Sequence, residues 1–378
     1  MCRLFALTSR DPISPMLAIN ALNTMKEGHD GSGVGLCLRG LGGRFEEELQ
    51  GCPILSGIFT EAGLRRLEQY TMDHGFKSQY SILYTPETEP PEGTPVRGTY
   101  AAIAYKVPRG WKELTPAQQG QKLVEMRLEL RKMGEEDGDI MVFSFWPDTI
   151  IVKEVGDPLE IGEWLQLGAN RNLYARHILA QGRQNTNYAI NLYACHPFFI
   201  EGVASMTNGE NTAFIPIKEY LQSRNVTGYS GYQSDSEVFT HIAHYTTKRL
   251  GLDIRAYKHV ITPLMDHEMA DHPDREFLAT LKRSCRKMII DGPNCVIGTL
   301  DDGSMFMVQD RKKLRPGIVG GKDGIYAFSS EVCGIDAVIP DRDKSKDFQP
   351  MHLDTVIVGP DCKEIETCSQ KDQLPRQL

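Results

Sequence analysis

Short apolar runs predict β-strands at both ends of the chain. Near the start, "CRLFAL" and "VGLCL" have strand length, and the second run follows the glycine-rich stretch "HDGSG". Towards the end, Gly and Asp turns separate the runs "PNCVIGTL", "SMFMVQD", "GIYAFSS" and "DTVIVGP". Strands of this kind with helices between them are typical of an α+β layered architecture.

Two stretches carry the end signals of helices. The stretch "SPMLAINALNTMKEG" predicts a helix capped by Ser14, with Pro15 at its first position and Gly28 just beyond its end. The stretch "TPAQQGQKLVEMRLELRKMG" predicts a second helix, which is capped by Thr115 and closed by Gly134.

The segment from about 44 to 168 is more polar and less regular than its flanks. It contains the strand candidate "TYAAIAYKV" and the stretch "DIMVFSFWPDTIIVKEVGD", which predicts a hairpin bent at Pro147–Asp148. We interpret this segment as an insertion in a single domain that spans residues 1–378. A small separate lobe is the alternative.

Size, composition and charge limit the classes of function. The chain has 378 residues, of which 40% are hydrophobic and 24% are charged, and this suits a globular protein with a large core. The formal net charge is −8 and no basic patch is evident, so nucleic acid is not expected as a partner. No apolar run approaches the ~20 residues of a membrane span, and the N-terminus lacks the core of a secretion signal. We therefore expect a cytoplasmic protein that is not bound to a membrane.

The nine cysteines include one in an unusual position. None is part of a C-x-x-C pair, so neither a zinc site nor an iron–sulfur cluster held by this chain alone is expected. Their odd number argues against a disulfide framework, and most are interpreted as small buried residues. Cys2 differs from the others. Removal of Met1 would give Cys2 a free α-amino group beside its thiol, and hence a base and a nucleophile in one residue.

Three polar stretches suit the recognition of a small zwitterion: "GRQNTN", "TNGEN" and "YQSDSE". Arg183 can hold a carboxylate with its planar guanidinium, and Asp235 can accept hydrogen bonds from an ammonium group. Asn208 and Gly209 offer a side-chain amide and an unobstructed backbone N–H, which are the two donors of an oxyanion hole. Each has an ordinary alternative: a surface ion pair for Arg183, a helix cap for Asp235 and a turn for Asn208–Gly209.

Taken in order, these stretches resemble the class II glutamine amidotransferases, which are N-terminal-nucleophile hydrolases. The landmarks are Cys2, "GHDGSGVGL", "GRQNTN" leading into "CHPFF", "NGEN", "SDSE", "DGPNCVIG", "QDRKKLRPG" and "AFSSEVCG". The resemblance is strongest to the amidotransferase domain of the glutamate synthase large subunit, and it is weak only between about 44 and 168. It implies an α+β fold, arranged as the four-layer αββα sandwich of the N-terminal-nucleophile hydrolases.

The resemblance also implies a reaction. The Cys2 thiol would attack the side-chain amide of L-glutamine, its own α-amino group would carry the proton, and glutamate and ammonia would be released. No metal takes part. Six further residues receive roles by resemblance: Asn208 and Gly209 as oxyanion donors, Arg183 and Asp235 as substrate-binding groups, and Thr186 and Glu210 as second-rank pocket residues.

Ammonia needs an acceptor, so the resemblance implies a partner. A separate glutamate synthase subunit would carry FMN and an iron–sulfur cluster, because this chain has no motif for either cofactor. Two alternatives stay open: the same half-reaction feeding another acceptor, as in N-methylglutamate synthase, and a non-catalytic regulatory subunit with the same fold. His29, His177 and His196 are interpreted as structural, and "RPG" and "SSE" near the end as architectural.

Overall fold

The computed structural model describes residues 2–184, 191–230 and 234–375. The strands within these ranges are β1 (Arg3–Ile13), β2 (Val34–Leu41), β3 (Pro53–Phe59), β4 (Lys77–Tyr84), β5 (Thr99–Lys106), β6 (Ile140–Pro147), β7 (Thr149–Glu154), β8 (Ala175–Gly182), β9 (Phe198–Ile200), β10 (Val203–Gly209), β11 (Asn294–Thr299), β12 (Met305–Gln309), β13 (Ile318–Lys322), β14 (Ile325–Ser329), β15 (Asp354–Val358) and β16 (Ile365–Ser369). The α-helices are α1 (Met16–Thr24), α2 (Arg44–Glu47), α3 (Glu61–Asp73), α4 (Pro116–Asp137), α5 (Pro158–Trp164), α6 (Phe214–Ser223), α7 (Glu237–His244), α8 (Arg255–Ile261), α9 (Asp266–Met269), α10 (Arg275–Ser284) and α11 (Val332–Val338).

Two antiparallel six-stranded sheets form the middle of the molecule. The first sheet has the strand order β13-β14-β1-β8-β2-β7, and the second has the order β16-β15-β12-β11-β10-β9. Their inner faces share one apolar core, to which the first sheet contributes Leu4 and Leu179 and the second contributes Met206 and Ile297. Neighbouring strands within each sheet are antiparallel throughout the described registers.

Helices cover the outer faces of both sheets. On the first sheet, α1, α5 and α11 pack through residues such as Ile19, Ile161 and Ile335. On the second sheet, α6, α7, α8 and α10 share a separate apolar core. The order of layers is helix, sheet, sheet, helix, so the prediction of an α+β fold with four αββα layers is confirmed. Within the described ranges, no helix combines the length and the apolar character needed to cross a lipid bilayer.

The segment 44–168 adds a third, four-stranded sheet with the order β4-β5-β3-β6. The helices α3 and α4 cover one face of this sheet through Leu67 and Leu130. On the other face, Ile54 and Ala104 pack into the apolar core that also contains residues of the first sheet. The same segment also supplies β7 and α5, which belong to the first sheet and to its helical layer. The chain thus leaves the first sheet after β2 and returns to it beside β2.

The predicted hairpin at Pro147–Asp148 is wrong. β6 pairs with β3 in the third sheet, whereas β7 pairs with β2 in the first sheet. Asp148 turns the chain from one sheet to the other with a φ of 51°. Its carboxylate accepts hydrogen bonds from the N–H groups of Gly40 and Leu41 at 2.9 and 2.8 Å, which fixes the turn against the end of β2.

The two predicted helices exist, with differences at their ends. Thr115 caps α4 and forms a capping box with Gln118, as its sequence predicts. However, α4 continues past Gly134 to Asp137, and Gly138 follows as the cap, with a φ of 70° that suits a glycine. At Gly134 a Cβ atom would lie 1.8 Å from the carbonyl oxygen of Ile140, so close packing explains this glycine. At the other helix, Pro15 stands just before α1 and is not its first residue.

Candidate active site

Cys2 stands directly before β1, at the edge of the inter-sheet core. Its Sγ atom lies 3.5 Å from the backbone nitrogen of Gln184 and 3.7 Å from the carbonyl oxygen of the same residue. The start of β1 is anchored because the Leu4 N–H donates to Ser330 Oγ at 3.0 Å and the Ser330 N–H donates to the Leu4 carbonyl at 2.9 Å. The stretch "SSE" therefore has the architectural role that its sequence predicts.

Cys2 opens onto a cavity of about 410 Å³ between the ends of the two sheets. Five of the residues singled out from the sequence line it: Cys2, Asn208, Gly209, Glu210 and Asp235. A larger cavity of about 760 Å³ lies beside the glycine-rich loop, next to His29 and Asp30. None of those five residues lines the larger cavity.

Asn208 lies within β10, so the alternative of an ordinary turn at Asn208–Gly209 is wrong. Along a strand, alternate side chains face the same side. Ala204 and Met206 belong to the core between the sheets, so Asn208 also faces the first sheet, on which Cys2 stands. The Asn208 side chain is only 3% exposed, and its Nδ2 group has no hydrogen-bond partner among the described residues. A buried amide of this kind is ready to donate to a ligand oxygen.

The backbone N–H of Gly209 faces the open edge of β10. The Glu210 N–H donates to the Pro293 carbonyl at 3.1 Å, and hydrogen-bonded pairs alternate along an antiparallel ladder. Gly209 therefore sits opposite Asn294 in a non-hydrogen-bonded pair, with its N–H directed away from β11. On that side β9 pairs with β10 only as far as Ser205. A Cβ at position 209 would lie 2.5 Å from the Pro293 oxygen, which explains the need for glycine.

Asp235 holds the segment before α7 against the end of β10. Its Oδ2 accepts from the Asn211 N–H at 3.1 Å, and its Oδ1 accepts from Ser236 Oγ at 3.1 Å. The alternative role of helix cap is wrong, because Ser236 occupies the cap position of α7. Burial raises the pKa of Asp235, and the two hydrogen bonds oppose that shift only in part. A cation bound in the cavity would stabilise the ionised carboxylate.

Arg183 is buried beside Gln184, which lines the cavity, and it does not lie at the surface. It is 7% exposed, and its N–H donates to the Gly33 carbonyl at 2.7 Å, which joins the end of β8 to the glycine-rich loop. Its guanidinium contacts the thiol of Cys195. It is not among the described residues that line the cavity. Thr186, the other predicted pocket residue on this segment, falls outside the described residues.

The Cys2 thiol is not acidic in this environment. Burial raises its pKa above the ordinary value, although the Gln184 N–H and the positive charge of Arg183 act in the opposite direction. Because the thiolate and not the thiol is nucleophilic, a reaction at Cys2 would need a base nearby to accept its proton.

Arg315 is a cavity residue that sequence reasoning missed, since "RPG" was interpreted as architectural. Its guanidinium lies 3.7 Å from the carboxylate of Glu210, which is 67% exposed at the rim. Both charges border the same cavity as Asp235. In the sequence, Arg315 stands directly before a Pro–Gly pair. Such pairs are common in turns, so this pattern does not identify a residue of a binding site.

A loop fixed by Asp310 brings Arg315 to this position. The Asp310 carboxylate accepts from the N–H groups of Asn294 and Lys312 at 3.0 and 2.9 Å. The Gln309 side chain donates to the Arg315 carbonyl at 2.6 Å. Asn294, at the start of β11, is also the strand partner of Gly209. The same residue therefore holds both the Arg315 loop and the end of β10 that carries the two candidate oxyanion donors.

The cavity lining thus combines a thiol, two candidate donors, the carboxylates of Asp235 and Glu210, and a guanidinium. Charges of both signs together with fixed hydrogen-bond donors suit the binding of a small polar ligand. In the ranges 2–184, 191–230 and 234–375, no group of three or more His, Cys, Asp or Glu side chains is arranged to hold a metal ion.

Comparison with known sequences finds distant relatives, and no family model matches the chain. An uncharacterised protein of Archaeoglobus fulgidus is 26% identical over 383 residues, which cover 99% of this chain and 96% of the relative. A protein of Methanothermobacter thermautotrophicus, provisionally described as a glutamine amidotransferase, is 22% identical over 237 residues. That match covers 59% of this chain and 67% of the relative.

Solved structures with a similar fold include two enzymes. The glutamine phosphoribosylpyrophosphate amidotransferase of B. subtilis, complexed with ADP and GMP, matches with a TM-score of 0.45 and 12% identity over 99% of this chain. A structure described as the allosteric regulatory enzyme of purine biosynthesis matches with a TM-score of 0.48 and 11% identity over 97% of this chain. The chain spans about half the length of each, 50% and 49% respectively.

Proposed function

We propose that this chain is a glutamine amidotransferase of the N-terminal-nucleophile type, which hydrolyses L-glutamine to glutamate and ammonia. The observation that carries the proposal is that Cys2, Asn208, Gly209 and Asp235 line one cavity, although they come from distant parts of the chain. Cys2 stands before β1, Asn208 and Gly209 end β10, and Asp235 precedes α7. The distant match to a relative described as a glutamine amidotransferase supports the same class.

Cys2 would act as both nucleophile and base once Met1 has been removed. Its freed α-amino group, with a pKa of roughly 7.7–8.0, would accept the thiol proton at neutral pH. The thiolate would attack the amide carbon, and the ammonium group would return the proton to the departing ammonia. Water would then cleave the thioester to release glutamate. The raised pKa of the buried thiol supports the need for such a base.

Asn208 and Gly209 would stabilise the charge that develops on the amide oxygen. The Asn208 amide has no hydrogen-bond partner among the described residues, and the Gly209 N–H is directed away from its strand partner. Donors that are fixed before the reaction cost no reorganisation during it.

The two charged ends of glutamine would be held by side chains of opposite charge. Asp235 would accept from the α-ammonium group. Arg183, by resemblance, and Arg315, by its place in the lining, would attract the α-carboxylate. Glu210 at the rim and Thr186 are second-rank candidates for the pocket.

The ammonia acceptor would be supplied by a partner. We propose a glutamate synthase subunit that carries FMN and an iron–sulfur cluster, with both proteins in the cytoplasm. The alternative is another acceptor, as in N-methylglutamate synthase. Glutamine hydrolysis that rises on addition of a candidate synthase subunit would support the first assignment. Hydrolysis that is unaffected by it would count against that assignment without affecting the half-reaction.

The proposed half-reaction is tested by glutamate release from L-glutamine. We expect the purified chain to release glutamate, and we expect Cys2→Ala to abolish the release while the melting temperature stays close to that of the wild type. Cys52→Ala is the matched control, because this partly exposed thiol lies in the third sheet region and does not line the cavity. Equal activity of the Cys2→Ala variant and the wild type would overturn the proposal.

A further inference from the structure

His196 is a polar residue of the cavity that has no role in the mechanism above. The backbone N–H of Thr207 donates to His196 Nδ1 at 2.9 Å. Because a backbone N–H can only donate, Nδ1 must be the unprotonated nitrogen of the ring. A neutral imidazole then carries its single proton on Nε2, so this contact determines the tautomer.

The second ring nitrogen of His196 is open to the cavity. The residue is only 6% exposed, and its ring packs 4.7 Å from that of Phe198. Among the described residues, no group accepts a hydrogen bond from Nε2. This nitrogen is nevertheless partly accessible, because it does not belong to the fully buried polar atoms that lack a partner. The accessible part of this side chain therefore includes a donor that can reach a ligand in the cavity.

His196 and Gly209 present donors at the same strand edge. The N–H groups of Thr207 and Gly209 point to the same side of β10, beyond the point where β9 stops pairing. The His196 imidazole accepts a hydrogen bond from the Thr207 N–H, so the Gly209 N–H is left for a ligand. Asn208 stands between them in the sequence and also lines the cavity. An oxygen atom bound to the Gly209 N–H would lie along the edge that His196 occupies.

The surroundings of His196 keep its imidazole neutral. Burial, together with the positive charges of Lys153 and Arg183, holds the pKa of His196 well below its usual value. Lys153 is itself buried and donates to the carbonyl of Cys195, the residue next to His196. An imidazolium here would be a third cation in a desolvated space. The ring is therefore unsuited to accept a proton during the reaction.

We propose that His196 is a catalytic hydrogen-bond donor, which binds the oxygen of the reacting amide through Nε2–H beside Asn208 and Gly209. This inference rests on the proposed glutamine hydrolysis. It assigns to His196 a part in stabilising the transition state, and it excludes the role of general base.

Kinetics of three substitutions test this role. His196→Gln can accept from the Thr207 N–H through Oε1 and donate to the ligand through Nε2, whereas His196→Ala can do neither. His196→Glu keeps an acceptor for Thr207 but has no donor when it is ionised. We expect His196→Ala and His196→Glu to lower kcat on the order of 10²–10³-fold with a much smaller change in KM, as for loss of one oxyanion donor. His196→Gln should stay within a few-fold of the wild type.

The outcomes separate this inference from the proposed function. Wild-type kcat in a folded His196→Ala or His196→Glu variant would overturn the role of donor. Loss of activity in His196→Gln equal to that in His196→Glu, with both proteins folded by circular dichroism, would also overturn it. An acidic limb of the kcat/KM profile that disappears in His196→Gln would reassign the residue as a base. Absence of glutamine hydrolysis by the wild type would instead refute the proposed function, and this inference with it.

Discussion

The backbone N–H of Asn211 donates a hydrogen bond to the carboxylate of Asp235 at 3.1 Å. This bond joins the chain just beyond the proposed oxyanion donors Asn208 and Gly209 to the segment that precedes α7. The group that would hold the ammonium end of a substrate is therefore fixed relative to the groups that would hold its amide oxygen. Loss of the carboxylate and loss of a donor should consequently affect different kinetic constants.

Asp235→Asn should weaken glutamine binding more than it slows the reaction. The substitution keeps the shape and an acceptor oxygen for Asn211, but it removes the negative charge opposite the α-ammonium. We expect a large increase in KM, with a smaller decrease in kcat because the amide is less well positioned against Cys2. Steady-state glutamate release measures both. An unchanged KM would show that Asp235 does not contact the substrate.

The same substitution should stabilise the free protein. Burial raises the pKa of Asp235, so the folded state binds this proton more tightly than the unfolded chain does. The free energy of unfolding therefore decreases as pH rises from the ordinary aspartate pKa to the raised value in the folded protein. Because Asn resembles the protonated form, we expect Asp235→Asn to melt at a higher temperature than the wild type at pH 7. The difference should shrink as the pH falls towards 4, and a difference that grows instead would contradict this reasoning.

Asn208→Ala should slow the reaction far more than it weakens binding. The Asn208 amide would meet negative charge only when the tetrahedral intermediate forms, so its removal raises the barrier selectively. We expect kcat to fall on the order of 10²–10³-fold, as for loss of one oxyanion donor, with KM changed much less. Asn172→Ala serves as a control, since that amide lies near Tyr80, away from the cavity. A large rise in KM at constant kcat in Asn208→Ala would place this amide in ground-state binding.

Much of the fold follows from local sequence patterns, whereas the pairing of strands does not. Short apolar runs predict β2, β5 and β11 because a strand that is buried on both faces needs only a few consecutive apolar residues. The same rule made "FSFWPDTIIV" resemble a hairpin. In the structure β6 pairs with β3 and β7 pairs with β2, so the two strands belong to different sheets. Both partners are distant in the sequence, and a local pattern of residues does not predict distant pairing.

The candidate site shows the same division. Cys2, Asn208, Gly209 and Asp235 could be singled out because each lies in a short stretch with its own chemical character, and they line one cavity. Arg315 could not, because its position results from the contact of Asp310 with Asn294 on a neighbouring strand. The structure places Arg183 in contact with the thiol of Cys195, and its role in substrate binding stays a prediction.

Arg315→Ala should raise the KM for glutamine because a guanidinium in the cavity lining would be lost. The effect should depend on the α-carboxylate of the substrate. We therefore expect Arg315→Ala and the wild type to hydrolyse 4-aminobutanamide, which is glutamine without that carboxylate, with similar kcat/KM. Lys313→Ala is the matched control, since it removes a positive charge from the same loop but not from the cavity. Equal losses for both amides would assign Arg315 a structural role.

The most direct test of the account is mass spectrometry of the protein after incubation with 6-diazo-5-oxo-L-norleucine, a glutamine analogue whose diazoketone alkylates active-site thiols. We predict a single adduct on a peptide that begins at Cys2, with Met1 absent, and we predict that excess L-glutamine slows its formation. The partly exposed Cys52 and Cys333 should remain unlabelled, because they lie outside the cavity. An adduct on other cysteines that glutamine does not suppress, or hydrolysis by protein that retains Met1, would contradict the assignment of Cys2 as an N-terminal nucleophile.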